Sequence, residues 1–166
     1  ALMPTSYRFV LVTGANKGIG HEIARQLALR GCHVVLTARD ARRGREATER
    51  LAAACPGARF SFLVMDTADR ASIRAAANEF AQVSDRLDAL VNNAAILVKA
   101  DFLDLDPDDF DRVLRVNLKG TFLCSQAIAR HMVERVKGGG RAGSIVNLSS
   151  VNAVFAIPDQ VPYSVS

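Results

Sequence analysis

Residues 13–20 read TGANKGIG. Three glycines, Gly14, Gly18 and Gly20, stand between an apolar, β-branched run ending at Thr13 (RFVLVT) and a segment with helical spacing, GIGHEIARQLALRG. Glycine lets a chain turn tightly and lets the backbone come close to another group. At a helix start, free N–H groups and the helix dipole favour an anion. A glycine turn from strand into helix therefore suits a pyrophosphate, provided that the strand opens a βαβ unit. The spacing is Gly-x-x-x-Gly-x-Gly rather than the commoner Gly-x-Gly-x-x-Gly. Taken alone, the trio also suits a purely structural turn.

The segments that follow meet the βαβ condition. HVVLTA is a second strand, and Arg42–Ala54 an Arg/Glu-rich helix closed by CPGA. RFSFLVMD is a third strand, RASIRAAANEFAQVS a third helix, and LDALVNNAA a fourth strand running into a polar turn. DPDDFDRVLRVNLKGTFLCSQAIARHMVER reads as one long helix whose aspartate-rich start suits the positive end of the dipole. GGGRAG is a loop and SIVNLSS a fifth strand. In the first helix Ile19, Ile23 and Leu27 recur at helical spacing, with Gly31 as its stop. Leu51, Ile73, Phe80, Val113, Leu114 and Leu123 are core-type residues.

Continuously apolar strands alternating with helices imply a parallel sheet covered on both faces. Right-handed crossovers make it an α/β, doubly wound sheet of Rossmann type. With no linker, repeat or low-complexity stretch, the 166 residues read as one dinucleotide-binding domain. Ligands of such sheets bind beyond the carboxyl ends of the strands.

Composition narrows the partners. Hydrophobic residues are 49% and charged residues 23%, which fits a globular chain. A net charge of +4, without tryptophan or a basic stripe interleaved with aromatics, argues against nucleic acid. No apolar run is long enough to span a bilayer, and ALMPTS lacks the features of a secretory leader. Cys32, Cys55 and Cys124 are odd in number and lack metal-ligand spacing, so they read as reduced thiols. His21, His33 and His131 are scattered, and no metal is expected. Cytoplasm is the expected location.

The strand ends hold the candidate site. After strand two an acidic side chain would hold a ribose 2′-hydroxyl, whereas an arginine accommodates a 2′-phosphate. Arg39 stands there, with Lys17 in the glycine loop, and both are expected on the extra phosphate of NADP. Arg42 and Arg43 are as well explained by a solvated helix start, and Asp40 is an alternative group to turn toward the ribose. Asp66 after strand three either accepts from the adenine amino group or caps the next helix. Asn92 and Asn93 after strand four suit tying neighbouring strand ends together. Asn16, Ile19, Asn93 and Ala94 complete the set of candidate cofactor contacts.

Together TGANKGIG, NNAA, VNLKG, IVNLSS and VPYS resemble the short-chain dehydrogenases/reductases, from about Arg8 to the last residue. The resemblance implies catalysis by an asparagine, a serine, a tyrosine and a lysine. Asn117 in VNLKG matches the asparagine and Tyr163 the tyrosine. Ser150 matches the serine by its separation from Tyr163, and Ser149 less well. Ala95 departs from the family's usual glycine. The implied reaction is hydride transfer between NADP(H) and a carbonyl or alcohol, with the motifs most like the NADPH-dependent carbonyl reductases. A 3-oxoacyl reductase, a hydroxysteroid or sugar dehydrogenase, and a non-enzymatic nucleotide-binding protein are the alternatives.

The family's lysine falls four residues after the tyrosine, one past Ser166. The expectation is therefore that residues 1–166 are the N-terminal, five-strand portion of a longer enzyme, inactive as it stands. The tyrosine helix, two strands and a substrate loop would follow. The lysine would bind the nicotinamide ribose and lower the tyrosine pKa, while Asn117 holds a water in a relay to it. Strand five would then be an exposed edge, and the whole enzyme a homodimer or homotetramer.

Overall fold

The computed structural model describes residues 8–155 and 157–166. The start of the chain, read above for a secretory leader, lies outside them. Five parallel strands form one sheet in the order β3-β2-β1-β4-β5: β1 Phe9–Val12, β2 His33–Ala38, β3 Arg59–Val64, β4 Ala89–Asn92 and β5 Ser144–Asn147. The order reverses between β1 and β4, which opens a crevice at the carboxyl ends of those two strands. The helices are α1 Gly18–Leu29, α2 Ala41–Ala54, α3 Arg70–Phe80, α4 Pro107–Leu114, α5 Gly120–Lys137 and the short α6 Val161–Ser164. The α/β doubly wound reading stands.

Alternate residues of each strand serve opposite faces, as the pleat dictates. Phe9, Leu11, Val35, Leu63 and Leu90 face one way and pack with Ile73, Ala76 and Phe80 of α3 and Leu123 and Cys124 of α5. Val10, Val12, Val34, Leu36 and Val91 face the other way, against Ala24 and Ala28 of α1 and Leu51 of α2. Leu36, Leu51 and Leu90 are fully enclosed. Each such burial is worth about 1.5–3 kcal/mol, so Leu36→Ala, which also opens a cavity, should cost roughly 2–5 kcal/mol.

Three expectations change. Ile19 does not join the core stripe of α1: it is 69% exposed, and the buried positions are Gly20, Ala24 and Ala28, one step along. Small residues there let α1 lie close on the sheet. The third helix stops at Phe80, where Val83 and Ser84 both donate their N–H to the Phe80 carbonyl in a closing turn. The long helix runs unbroken from Pro107 to Lys137 but is not regular, so α4 and α5 are its two α-helical parts. Between α4 and α5 the residues Arg115–Lys119 form a π-helical turn, a local widening that often marks functional sites. Among the core residues named from sequence, Leu114 is half-buried and the others are enclosed.

β5 pairs with β4 and forms one edge of the sheet, with Val146 and Leu148 exposed. It ends at Asn147, after which Leu148 donates its N–H to the Asn92 carbonyl and the chain leaves the ladder. Among the described residues no helix is long and apolar enough to cross a membrane.

Candidate active site

The glycine loop follows β1, and each of its glycines answers a different demand. Gly14 has φ +63°, and a Cβ on it would come within 2.9 Å of Ala94 Cα. Gly18 has φ +60°, and nothing lies within 4 Å of where its Cβ would be, so it faces open space. Gly20 has no unusual φ; a side chain there would run into the Asn93 amide. The demand on Gly20 thus comes from Asn93, just past the end of β4.

Asn93 is locked in place. Its Nδ2 donates to the carbonyls of Thr13 at 2.8 Å and Gly14 at 3.3 Å. The Thr13 hydroxyl oxygen accepts from the backbone N–H of Asn93 and of Ala94, each at 2.9 Å. Asn92 ties the next pair of strands: its Nδ2 donates to Asn147 Oδ1 at 2.8 Å and to Ser125 Oγ at 2.9 Å. The strand-tying reading of both asparagines holds. The hydroxyl of Thr13, buried at the end of β1, carries half of it.

The start of α1 differs from the starts of α2, α3 and α4. Those three are capped by Asp40, Asp69 and Asp106, which accept from Arg43, Ala71 and Asp108 N–H groups at 2.8–2.9 Å. At α1 the capping position is Lys17, whose side chain makes no such bond. The first N–H groups of α1 therefore lack a side-chain acceptor and sit beside the open space at Gly18.

Beside them lies a cleft of about 400 Å³, lined by Gly14 and Asn16–Gly20 of the loop and the start of α1, by Ala38 and Arg39 at the end of β2, by Met65 and Thr67 after β3, and by Asn93–Ile96, Val116 and Tyr163. Arg39 and Lys17 are both exposed at this cleft. Asp40 is not free to face it, because its carboxylate caps α2. The Arg43 N–H bond holds that carboxyl below the usual range. Asp66 is set back as well. Its Oδ1 accepts from Ala68 N–H at 2.9 Å in a tight turn, and Met65 and Thr67 line the cleft in its place. It does not cap α3, which Asp69 does.

A second cavity of about 190 Å³ abuts the first. Asn117, Ser149, Ser150, Ala153 and Tyr163 line it together with Asn92, Leu148 and Thr121. Ile19, Asn93, Ala94, Ala95 and Tyr163 line both. All three residues expected to be catalytic thus meet at one cavity, and Tyr163 stands on the boundary.

Asn117 lies in the π-helical turn with its amide facing the loop after β4. Its Oδ1 accepts from Ile96 N–H at 2.9 Å, and its Nδ2 donates to the Ile96 carbonyl at 3.0 Å and to Ser166 Oγ at 3.0 Å. Its own carbonyl accepts from the Thr121 hydroxyl at 2.7 Å. Ser150 precedes the 3₁₀ turn Val151–Ala153, with Asn152 N–H donating to its Oγ at 3.3 Å. Tyr163 sits in α6, half-buried. Thr13, Thr67, Thr121 and Asn152 are the neighbours that sequence reasoning missed. Only Thr13 had a signal, a hydroxyl closing an otherwise apolar strand.

The short chain dehydrogenase family model matches residues 8–166. The chain is 38% identical to D-threitol dehydrogenase of Mycolicibacterium smegmatis over 161 residues, covering 96% of this chain and 58% of that protein. It is 39% identical to carbonyl reductase [NADPH] 3 of Mus musculus over 156 residues, covering 93% of this chain and 53% of that one. Among solved structures, a gluconate 5-dehydrogenase from Burkholderia cenocepacia in complex with NADP and tartrate superposes with a TM-score of 0.85 at 37% identity, over 95% of this chain and 59% of that one. The chain therefore spans less than two thirds of the length of these relatives.

Proposed function

This chain belongs to the short chain dehydrogenase family, and on that premise we propose that it carries the cofactor cleft and part of the catalytic site of an NADP(H)-dependent carbonyl reductase. The observation that carries the reading is the pair of abutting cavities that share Tyr163, one bordered by the glycine loop and the other by Ser150 and Asn117.

The residues present fit a dinucleotide. The uncapped N–H groups of α1 and the open face of Gly18 suit a pyrophosphate. Lys17 and Arg39 supply positive charge where the adenosine ribose would carry its 2′-phosphate, while Ala38 and the capped Asp40 leave no free carboxylate to prefer a 2′-hydroxyl. Asn16, Ile19, Asn93 and Ala94 form the walls between. NADP(H), when bound, supplies or accepts the hydride.

The chain's own groups would do the rest. Ser150 hydrogen-bonds the carbonyl oxygen and orients it. Tyr163 donates the proton to the developing alkoxide, and general-acid help of this kind is worth about 10²–10⁴ in rate. The Asn117 amide holds the loop after β4 at Ile96, which fixes the wall between the two cavities. The substrate class is a ketone, an aldehyde or the corresponding alcohol. The free thiols of Cys32, Cys55 and Cys124 suit the reducing cytoplasm. The groove formed by Asp111, Leu114, Arg115, Leu118, Lys119 and Phe122, with Leu118 and Phe122 more than half exposed, is the surface through which copies would assemble as a dimer or tetramer.

Cofactor choice is the part most open to direct test. Arg39→Asp, assayed by titration with NADP and NAD in parallel, is expected to weaken NADP about tenfold or more and to leave NAD unchanged or tighter, the loss expected when a charged phosphate contact is removed. Equal effects on the two cofactors would remove Arg39 from the phosphate site.

A further inference from the structure

Ser150 is tied to the tyrosine helix through Asn152 and Gln160, neither of which lines either cavity. Its Oγ donates to Asn152 Oδ1 at 3.1 Å and accepts from Asn152 N–H at 3.3 Å. The same amide donates from Nδ2 to Gln160 Oε1 at 3.0 Å. Gln160 is the residue before α6, and its carbonyl accepts from Ser164 N–H at 2.9 Å and from Ser164 Oγ at 3.0 Å. α6 carries Tyr163.

The middle of the path is enclosed, and its ends are partly buried. Asn152 is 8% exposed, one of the few buried polar side chains among the described residues, and both ends of its amide have a partner. An amide in that setting is costly to leave unpaired, so its two bonds hold each other in register. The turn that delivers Gln160 is fixed too. Asp159 has φ +61°, unique for a non-glycine among the described residues, and its carbonyl accepts the Ala100 N–H at 3.1 Å.

We propose that Asn152 is a positioning residue that sets the Ser150 hydroxyl and, through Gln160, couples it to the helix bearing Tyr163. The proposal rests on the reading of Ser150 and Tyr163 given above. In the absence of substrate the single Ser150 proton is directed to Asn152 Oδ1. A carbonyl oxygen arriving in the cavity takes over as its acceptor, so the hydroxyl needs only to rotate about its Cβ–Oγ bond while the oxygen stays in place. One hydrogen bond is exchanged for another, no covalent bond is made or broken, and no charge moves. Because Gln160 is fastened to the same amide, the Ser150 oxygen and the tyrosine helix keep one spacing.

The test uses the complete protein with NADPH and 2,3-hexanedione as a carbonyl probe, together with ¹⁵N spectra of the side-chain amides. Ser150→Ala should lower kcat about a hundredfold or more, and Asn152→Leu about tenfold, with NADPH affinity kept within about twofold. The double variant should be no slower than Ser150→Ala alone, because Asn152 acts through Ser150. Asn152→Asp, which still accepts from Ser150 and pairs with Gln160 once that amide turns over, should recover most of the loss. The Gln160 amide signal should move on Ser150→Ala and stop responding once Asn152 is leucine.

Losses that multiply in the double variant, or an Asn152→Leu protein that melts lower but turns over normally, would reduce Asn152 to a structural part and overturn the proposal. A Gln160 signal indifferent to Ser150→Ala overturns the coupling even where the site reading stands. Absence of turnover in the unaltered protein counts against the site reading alone, and the amide signals still decide the positioning.

Discussion

The amide of Asn93 occupies the space in which a side chain on Gly20 would begin, and from there it donates to the carbonyls of Thr13 and Gly14. The last glycine of the loop and the asparagine after β4 are therefore one device. It fixes the distance between α1 and the sheet at the mouth of the cleft.

Gly20→Ala sets two effects against each other. Alanine inside a helix is better than glycine by about 1 kcal/mol. Against this, the new Cβ would displace the Asn93 amide and approach the Gly14 carbonyl at 3.0 Å. Overpacking of this kind costs about 1–3 kcal/mol, so urea unfolding should show a net loss. Adding Asn93→Ala removes one of the two obstacles, so the double variant should be more stable than the sum of the single losses implies.

Thr13 accepts two backbone N–H groups with one oxygen. Thr13→Val keeps the shape and leaves both part-buried donors without a partner. Each such group costs about 1–3 kcal/mol when fully buried, and part-burial keeps the pair in the lower part of that range, a total loss of roughly 2–4 kcal/mol by urea unfolding. Thr13→Ser keeps the oxygen and should lose less than half as much.

These ties explain what could and could not be read from the residues. Strand and helix order was legible because each element carries its own period, and the glycine loop because a turn after β1 is local. The π-helical turn was not. Val113, Val116, Gly120 and Leu123 are buried at steps of three and four, so the pattern runs through the turn as though the helix were regular. What accompanies the turn is the Asn117 amide bound to Ile96, a partner 21 positions away. Ile19 misled for the opposite reason: its spacing matched a core stripe, but the tight approach of α1 moved that stripe to Gly20, Ala24 and Ala28. Asn152 and Gln160 form no period, and their link exists only once the loop after β5 has folded.

His33 gives the fold a pH dependence. Its ring stacks on Phe9 with centroids 4.7 Å apart, and its Nε2 shares a hydrogen bond with Ser61 Oγ at 2.8 Å. Burial, and then the charge of Arg59, hold its pKa below the ordinary 6.5. The neutral ring is thus favoured by folding. Its contribution is present above the unfolded-state pKa and is lost as pH falls through that value toward the folded one. The melting temperature should therefore decline from about pH 7.5 to pH 5, and His33→Gln should flatten that decline relative to the parent. An unchanged slope would assign the effect to other groups.

The central claim is that Tyr163, on the boundary of the two cavities, delivers the proton that completes hydride transfer. The most direct measurement follows the oxidation of NADPH by the complete protein with a carbonyl probe, for the parent and for Tyr163→Phe, beside the NADPH affinity of each. The account predicts a fall in kcat of about 10²–10⁴ with affinity essentially unchanged. A Tyr163→Phe protein that reduces the carbonyl as fast as its parent would contradict it.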